Sequence, residues 1–330
     1  MILACRNEVW AFFQSVGAAS DLGFIELNRE ALMGSYSYFR KKVKLINEYK
    51  PETVVHIRES YTIENAFIHA LRSNEKVVYR VYPLEHKSVL KRYFSGHTYT
   101  KDFRGSEDKD YLTSQADLIR RLGLESFRST VPILPSLLAN SVPKQKPYVC
   151  LCPGASVANK CWPAERYSEV ANYILEYSDC FLAVCGGKSE KLVNEAIISA
   201  VNQRDRVLDY TGKTNMAGWI ALIQNAVFVV CNESASVHIA ACSGVPSVCI
   251  GEQKFADKWL PYRPEITRDG DMIPTMVRAP WLDCAFCAKK NFKRGSACME
   301  CFKMNGVVKC VYDVKLDDVL NAITPAIITR

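Results

Sequence analysis

The stretch from residue 227 to residue 250 constrains the fold most strongly, because it reads as strand, turn, helix and strand in succession. Residues 227–231 (VFVVC) form a continuous apolar run rich in β-branched side chains, which is typical of a parallel strand buried on both faces. Polar and small residues follow, and a helix is predicted from about residue 236 to residue 243, ended by Gly244. Residues 247–250 predict the next strand. A β-α-β unit of this kind indicates a parallel sheet.

The turn after the first of these strands is a candidate binding site for an anionic ligand. It opens a helix at the carboxyl end of a parallel strand, where backbone N–H groups and the helix dipole favour negative charge. His238 lies in the first turn of the predicted helix, at the same end as Ser234. A lone histidine beside apolar Val237 and Ile239 is more often a packed or capping residue. The turn context favours a phosphate-facing role.

The N-terminal half alternates predicted strands with predicted helices. The strands are residues 2–5, 24–27, 53–57 and 77–81, and the helices are residues 8–14, 36–49, 63–71 and 110–122. Residues 84–105 are basic and aromatic without clear periodicity and are interpreted as a loop. The proline-rich segment at residues 132–147 is the best linker candidate. We therefore predict two domains, residues 1–140 and residues 141–330.

The second half restarts the same pattern, with small residues after each strand. Residues 148–152 predict a strand that ends in Pro-Gly-Ala-Ser, and residues 181–185 predict a strand that ends in Gly186-Gly187. Between them, apolar residues recur at 167, 170, 171, 174 and 175, which is the spacing of an amphipathic helix. Together with the turn after residue 231, three strand ends carry glycines or small hydroxyl residues. This pattern indicates a ligand crevice.

Composition limits the class of protein and its partners. A chain of 330 residues with 48% hydrophobic and 23% charged residues is typical of a globular protein of two ordinary domains. The sequence shows neither a transmembrane run nor a signal peptide, so a cytoplasmic location is expected. The net charge of +7 includes two basic clusters, which usually are solvated faces but also attract phosphate groups or an anionic membrane surface. No nucleic-acid motif accompanies this charge, so nucleic acid is not expected as a partner. The clusters are Arg40, Lys41, Lys42 and Lys44, and Lys289, Lys290, Lys293 and Arg294.

Two groups among the fourteen cysteines are informative. Several lie in predicted strands, where they act as small buried hydrophobic residues in a reducing compartment. Five others lie in a Cys-rich loop, residues 284–310, whose two Cys-x2-Cys pairs have the spacing of a tetrahedral zinc site. The alternative is a loop of free thiols without metal. The candidate zinc ligands are Cys284, Cys287, Cys298 and Cys301.

Four segments together resemble glycosyltransferase family 9, the ADP-heptose:lipopolysaccharide heptosyltransferase family. They read PGASVANKCWPAERYSEVANYI, VCGGKSE, DYTGKTNMAGWIALIQNA and CNESASVHIAACSGVPSVCIGE, and the resemblance covers roughly residues 145–255. Each segment alone is weak, but their order and spacing are specific. The resemblance implies an α/β protein of the GT-B class, in which two Rossmann-like domains face each other across a cleft. It also implies that the C-terminal domain holds a nucleotide-sugar.

The resemblance also assigns donor-binding residues by position. Ser156 and Lys160 match the residues that contact the diphosphate, and Glu190 matches the residue that contacts the ribose. Two further segments match: a loop that lies along the nucleotide, and an element around the phosphates and the sugar. Glu233 is one methylene longer than the family's aspartate, and Ala235 replaces a glycine, so the sugar or nucleotide preference is open. The loop residues are Thr211, Gly212 and Thr214, and those of the last element are Glu233, Ser234, Ala235 and His238.

At its beginning the chain departs from the family pattern. The family starts with a strand and a Gly-Asp turn that supplies the general base, whereas this sequence begins like the family's second βα unit. The N-terminal domain is therefore expected to lack its first βα unit, and the general base is unidentified. Asp21, Glu59 and Glu64 are acidic residues of this half, but nothing in the sequence places them opposite Lys160.

The resemblance implies an enzyme that moves heptose or a related hexose from a nucleotide-sugar to a lipopolysaccharide-core or other surface-glycan acceptor. The expected reaction is inverting and metal-independent, with Lys160 stabilising the leaving group and with no required cofactor. ADP-heptose or a similar donor, a glycolipid or oligosaccharide acceptor and a peripheral contact with the inner membrane are the expected partners. The alternative is a catalytically inactive donor-binding or scaffold protein of the same fold. A Rossmann dehydrogenase is disfavoured, because no G-x-G-x-x-G follows the first strand of either half.

Overall fold

The computed structural model describes residues 1–57, 62–80, 93, 96–105, 109–137, 146–155, 157–253, 259–279 and 306–328. The chain folds into two compact units, Met1–Ser129 (unit 1) and Thr130–Arg330 (unit 2). The sequence places the domain boundary after residue 140, within the proline-rich segment. The start of that segment is tied into unit 2, because the N–H of Val131 donates to the carbonyl of Ile266 (2.9 Å) and the N–H of Leu134 donates to that of Cys242 (2.8 Å).

Unit 1 is an α/β unit with parallel strands, as the alternating pattern predicts. Strands β1 and β2 pair in parallel, and β3, β4 and β5 form a second parallel sheet in that order. The strands are β1 (Ile2–Cys5), β2 (Gly23–Glu26), β3 (Thr53–His56), β4 (Glu75–Arg80) and β5 (Lys101–Arg104). The helices are α1 (Asn7–Ser15), α2 (Arg29–Gly34), α3 (Tyr36–Glu48), α4 (Thr62–Ala70) and α5 (Tyr111–Arg121).

Strand β5 corrects the sequence interpretation, since residues 84–105 are predicted to be a loop. Its sequence KDFR carries three charged residues, and only Phe103 packs against the buried cluster of Val77, Tyr79 and Leu118. A short, charged edge strand of this kind lacks the apolar run or alternation by which a strand is recognised, and pairing with β4 defines it. Helix α2, which also goes unpredicted, is capped by Asn28, whose side chain accepts from the N–H of Ala31.

Unit 2 contains a parallel sheet of six strands within its described residues, with the order β8-β7-β6-β9-β10-β11. The strands are β6 (Tyr148–Cys152), β7 (Phe181–Val184), β8 (Val207–Asp209), β9 (Phe228–Asn232), β10 (Ser247–Ile250) and β11 (Thr275–Val277). The helices are α6 (Ala164–Tyr177), α7 (Lys191–Ser199), α8 (Met216–Gln224), α9 (Ala235–Cys242), α10 (Lys309–Tyr312) and α11 (Leu316–Ile328). Numbered along the unit, this order is 3-2-1-4-5-6, which is that of a Rossmann-type doubly wound sheet.

The central strands explain why this half is the easier one to predict. Every residue of β6, β9 and β10 is buried, so each strand appears in the sequence as an apolar run, with a polar residue only at the end of β9 (Asn232) and at the start of β10 (Ser247). Helix α6 packs Tyr167, Ile174 and Leu175 into the core of the unit, as its 3.6-residue periodicity predicts. Helix α9 is followed by Gly244 at φ +70°, the left-handed conformation that ends helices at glycine.

Among the residues that the structure describes, no helix combines the length and the apolar character that crossing a bilayer requires.

Candidate functional site

The strand order of unit 2 places a crevice between the carboxyl ends of β6 and β9. There the strand order reverses, because β6 is followed by β7 in one direction and β9 is followed by β10 in the other, which is where doubly wound folds bind ligands. Asn232, the fully buried last residue of β9, holds the two sides together. Its Nδ2 donates to the carbonyl of Pro153 after β6, and its Oδ1 accepts from the N–H of Trp162 (3.1 Å). This clamp fixes the backbone that precedes and follows Lys160.

Lys160 ends a 3₁₀ turn, Ala158–Lys160, and its ammonium lies at the crevice. The Nζ of Lys160 is 2.6 Å from the Oε1 of Glu252, which follows strand β10. The Lys160 side chain is 30% exposed and that of Glu252 only 6%, so a buried carboxylate holds a cation that solvent still reaches. A partly exposed ammonium held in this way is able to meet an incoming anion.

Glu233, which directly follows β9, is the second carboxylate near Lys160. Burial, followed by the charge of Glu252, raises the pKa of Glu233 to about 7, while the charges of Arg278 and Lys160 act in the opposite direction. Its Oε2 and the Nε of Arg278 are buried atoms without a hydrogen-bond partner among the described residues. A Cβ on Gly251 would lie 3.1 Å from that Oε2 and 3.3 Å from that Nε, so the glycine leaves room for both groups. Two carboxylates and two cations, which follow β6, β9, β10 and β11, thus meet at this edge of the sheet.

Glu190 lies after β7, in a space that two glycines leave open. It ends the 3₁₀ turn Lys188–Glu190, and a Cβ on Gly154 or on Gly186 would come within 2.8 and 3.0 Å of its side chain. Its Oε1 accepts from the hydroxyl of Ser189 (2.8 Å). The negative charge of Glu190 also acts on Cys161, in the turn after β6. The pKa of Cys161 is raised mainly by burial and further by the charge of Glu190. Glu190 therefore occupies the same crevice edge as the Lys160 turn.

The loop after β8 lies beside the loop after β7. The N–H of Gly212 donates to the carbonyl of Gly186 (2.8 Å), and Gly212 has φ +66°, which favours glycine at this position. The hydroxyl of Thr211 accepts from Nδ2 of the fully buried Asn194 (2.8 Å). Glu190, Thr211 and Gly212 are thus brought together at these two adjoining loops. Thr214 is half-buried further along the same loop.

The N-terminus of helix α9 presents the remaining predicted residues. Ser234 is the residue before the helix and its hydroxyl contacts that of Ser236 (3.3 Å), while Ala235 is exposed at the first helical position. His238 is largely buried and its Nδ1 is 2.7 Å from the hydroxyl of Tyr262. Burial lowers the pKa of His238, so the neutral imidazole is favoured near pH 7.

Five predicted site residues lie outside the described residues. They are Ser156, the proposed diphosphate contact after β6, and the four candidate zinc ligands Cys284, Cys287, Cys298 and Cys301. In contrast, Glu252 and Arg278 belong to the site without having been predicted. Glu252 stands directly after a buried strand and a glycine, a signal that the sequence contains. Arg278 follows a strand of only three residues, which leaves no recognisable pattern.

The match to a family model decides the classification. The model described as glycosyltransferase family 9 (heptosyltransferase) matches residues 85–270, which is more than half of the chain. The chain belongs to glycosyltransferase family 9. The match extends beyond residues 145–255, to which the motifs point, and includes all the strand ends of the crevice from β6 to β10.

Curated family members share a part of their length with this chain. It is 30% identical over 109 residues to lipooligosaccharide heptosyltransferase 2 of Haemophilus influenzae, which is 32% of this chain and 31% of that protein. It is 26% identical over 113 residues to lipopolysaccharide heptosyltransferase 2 of Escherichia coli, which is 33% of this chain and 32% of that protein. The similarity therefore spans about a third of the length of these relatives.

Solved structures extend the likeness of fold to the whole chain. A family 9 glycosyltransferase from Veillonella parvula has a TM-score of 0.72 at 13% identity, covering 100% of this chain and 88% of that one. The ADP-heptose lipopolysaccharide heptosyltransferase II of E. coli has a TM-score of 0.56 at 14% identity, covering 99% and 98%. An E. coli heptosyltransferase solved with ADP-2-deoxy-2-fluoro heptose has a TM-score of 0.55 at 12% identity, covering 84% and 93%. The predicted GT-B-like fold class is confirmed.

Proposed function

We propose that this protein is a glycosyltransferase that moves a heptose or related hexose from a nucleotide-sugar to a lipopolysaccharide-core or other surface-glycan acceptor. The observation that carries the proposal is the Lys160 ammonium at the switch point of unit 2, held by a buried carboxylate and still partly exposed. Membership of family 9 and the names of the heptosyltransferase relatives support this substrate class.

Lys160 is the proposed contact for the donor diphosphate. An ammonium neutralises the charge that develops on a departing nucleoside diphosphate, and it does so without a metal ion. The backbone N–H groups at the start of α9, whose N-cap Ser234 makes no side-chain cap, add donors for the same phosphates. Because Lys160 already pairs with Glu252, a bound diphosphate would compete with Glu252 for the Lys160 ammonium.

The donor's remaining polar groups have proposed partners on both sides of Lys160. Glu190 is the proposed ribose contact, in the space that Gly154 and Gly186 leave open, with Thr211 on the adjoining loop. Glu233 is the proposed sugar contact, since its buried Oε2 has no hydrogen-bond partner among the described residues. A hydroxyl group of the sugar would satisfy that atom, and an unpaired buried polar atom is costly.

The proposed reaction is a single displacement with inversion. The acceptor hydroxyl attacks the anomeric carbon and loses its proton to a base, while the bond from that carbon to the diphosphate oxygen breaks. The nucleoside diphosphate leaves with the bonding electrons, and Lys160 stabilises the charge that it gains. No metal or cofactor is required in this scheme.

Nucleotide binding tests the donor site first. A thermal-shift screen of the wild-type protein with ADP, UDP, GDP and ADP-heptose identifies the donor class, because a ligand of the folded state raises the melting temperature. Lys160→Ala should then weaken binding of that nucleotide by about tenfold to a hundredfold, as expected for the loss of one charged hydrogen bond. The matched control is Lys191→Ala, since Lys191 is 69% exposed on helix α7 of the same unit and pairs with the exposed Glu195.

Turnover then separates the transferase from the inactive alternative. Release of nucleoside diphosphate from the identified donor, with a truncated lipopolysaccharide core as acceptor, measures transfer in the wild type and in both variants. Binding without any turnover in the wild type would support a donor-binding scaffold. Wild-type binding and turnover in Lys160→Ala would remove Lys160 from the site.

Two further expectations from the sequence remain proposals. We propose that Cys284, Cys287, Cys298 and Cys301 hold a structural zinc ion, which zinc analysis of the purified protein decides. A glycolipid acceptor would bring the protein to the inner membrane as a peripheral partner. The basic helix α3, on which Arg40, Lys41 and Lys44 are exposed, supports a contact with anionic lipid.

A further inference from the structure

Arg278 directly follows strand β11, and none of the proposed donor contacts involves it. One end of its guanidinium is anchored, because Nη2 donates to the carbonyl of the fully buried Leu260 (2.9 Å). The Nε of the same guanidinium is buried and has no hydrogen-bond partner among the described residues. A buried donor without a partner is costly, so this N–H group is a candidate for a ligand contact.

An unpaired acceptor, Oε2 of Glu233, lies beside this unpaired donor. Both atoms stand over the backbone of Gly251, since a Cβ on that residue would lie 3.1 Å from Oε2 of Glu233 and 3.3 Å from Nε of Arg278. The same Cβ would lie 2.8 Å from Cε of Met276, so an apolar group bounds this space on another side. Glu233 and Arg278 are each half-buried, so part of both side chains is open to solvent.

One hydroxyl group satisfies both of these atoms at once. Its oxygen accepts from the Nε–H group of Arg278, and its own proton is donated to Oε2 of Glu233. The diphosphate of a nucleotide-sugar carries no proton near pH 7. A phosphate oxygen would therefore leave Oε2 unpaired and would repel the carboxylate when it is ionised. The pair suits a sugar hydroxyl, whereas Lys160, which only donates, suits a phosphate.

We propose that Arg278 is a specificity-determining residue of the donor site, which together with Glu233 holds one free hydroxyl group of the donor's sugar. This inference rests on the proposed function and deepens it, because it assigns the two cations of the crevice to different parts of one ligand. Lys160 meets the diphosphate, and Arg278 meets the sugar. The substrate class is a nucleotide-sugar with an unsubstituted hydroxyl group at the position that reaches β11. A sugar without that hydroxyl leaves a buried donor and a buried acceptor unpaired and is rejected.

The experiment measures binding to the full-length protein by titration calorimetry, without any acceptor. The probes are ADP-heptose, UDP-glucose and GDP-mannose, together with ADP, UDP and GDP. The nucleotide-sugar that the wild type binds most tightly is then compared with its monodeoxy analogues, each of which lacks one hydroxyl group of the sugar. One analogue should bind the wild type about tenfold to a hundredfold more weakly than the parent, as expected for a hydroxyl that pairs with two buried groups.

Arg278→Lys separates the hydrogen bond from the charge. Burial and Glu252 raise the pKa of Glu233, and the charge of Arg278 opposes them. Lysine keeps that charge but has a methylene group at the position of Nε. We expect Arg278→Lys to bind the nucleoside diphosphate as the wild type does. It should bind the nucleotide-sugar about tenfold to a hundredfold more weakly than the wild type, and the parent and the critical deoxy analogue alike.

The matched control is Arg204→Lys, which also loses the Nε–H group of an arginine in unit 2. Arg204 is exposed, precedes β8 at the amino end of the sheet, and its Nε donates to the carbonyl of Val201 (3.4 Å). This variant should discriminate between the parent and the deoxy analogue as the wild type does. Retained binding of the nucleoside diphosphate shows that each variant is folded, and Arg278→Gln replaces Arg278→Lys if that variant is not.

Each outcome bears on the proposal. If Arg278→Lys still rejects the deoxy analogue, or if the wild type binds every monodeoxy analogue as tightly as the parent, the role of Arg278 is overturned and the transferase function stands. A wild-type protein that binds none of the nucleotide-sugars overturns the transferase function, and the role of Arg278 with it.

Discussion

The raised pKa of Glu233 predicts that the stability of the protein depends on pH in a way that one substitution removes. Glutamate normally has a pKa of 4.5, and burial together with Glu252 raises that of Glu233 to about 7. Between these values the folded protein binds the proton more tightly than the unfolded chain. The stabilisation is therefore complete below about pH 4.5 and is lost as the pH rises through about 7. A pKa difference of this size corresponds to up to about 3 kcal/mol.

The variant that tests this reasoning is Glu233→Gln, which resembles the protonated carboxyl and does not titrate. Relative to wild type, its free energy of unfolding should be higher by less than about 1 kcal/mol at pH 5. At pH 8.5 it should be higher by up to about 3 kcal/mol, because the wild-type carboxylate must then be charged in a buried place. Urea unfolding at pH 5, 7 and 8.5 measures both values.

Two further variants make the comparison specific. Glu195→Gln removes a carboxylate that is 57% exposed and should leave the pH dependence of the wild type intact. Glu252→Gln removes the neighbouring charge that raises the Glu233 pKa, so the pH-dependent transition should move to lower pH. Parallel pH profiles of wild type and Glu233→Gln would refute the reasoning, because they would mean that Glu233 titrates alike in the folded and unfolded states.

The remaining predictions concern packing around the site. Gly251→Ala would place a Cβ 3.1 Å from the carboxylate of Glu233. We therefore expect the free energy of unfolding to fall by about 1–2 kcal/mol and nucleotide binding to weaken. The control is Gly34→Ala, whose Cβ would have nothing within 4 Å and which should change the free energy of unfolding by less than about 1 kcal/mol. Asn232→Ala would leave a buried N–H and a buried carbonyl unpaired and should cost about 2–4 kcal/mol in the free energy of unfolding. The exposed Asn225→Ala, which loses one bond at the end of α8, should cost less than about 1 kcal/mol. Urea unfolding checks both pairs, and equal losses within a pair would contradict the argument.

The sequence predicts the centre of unit 2 well and its edges poorly, for a physical reason. Residues 148–152 and 247–250 are predicted as strands and are the strands β6 and β10, because strands buried on both faces are mostly apolar. Strands β8 and β11 have three residues each, and β5 is charged, so pairing with a neighbouring strand defines them and no periodic pattern does. Edge strands are covered on fewer sides and are therefore under weaker compositional constraint.

For the site as well, the sequence predicts what depends on neighbouring residues in the chain and misses what depends on the order of the strands. Lys160, Glu190 and Glu233 each follow a predicted strand, so their position at one edge of the sheet is predictable from the sequence. The ion pair of Lys160 with Glu252 joins residues 92 apart, and it depends on the strand order that places β10 beside β9. Without that order the sequence does not indicate which carboxylate neutralises which cation.

The charges of the crevice connect the pKa of Glu233 with the proposed role of Lys160. If both carboxylates were ionised, Glu233 and Glu252 would balance Lys160 and Arg278, and an incoming diphosphate would meet a neutral group. The raised pKa means that Glu233 holds a proton for about half of the time near pH 7, which makes the summed charge of these four groups more positive by about half a unit on average. A diphosphate at Lys160 would draw that ammonium away from Glu252 and add negative charge beside Glu233, which favours the proton further. By thermodynamic reciprocity, protonation of Glu233 then strengthens binding of the diphosphate by the same factor. The buried carboxyl pair would thus set the charge that the donor meets, while Lys160 and the backbone N–H groups at the start of α9 would contact its phosphates.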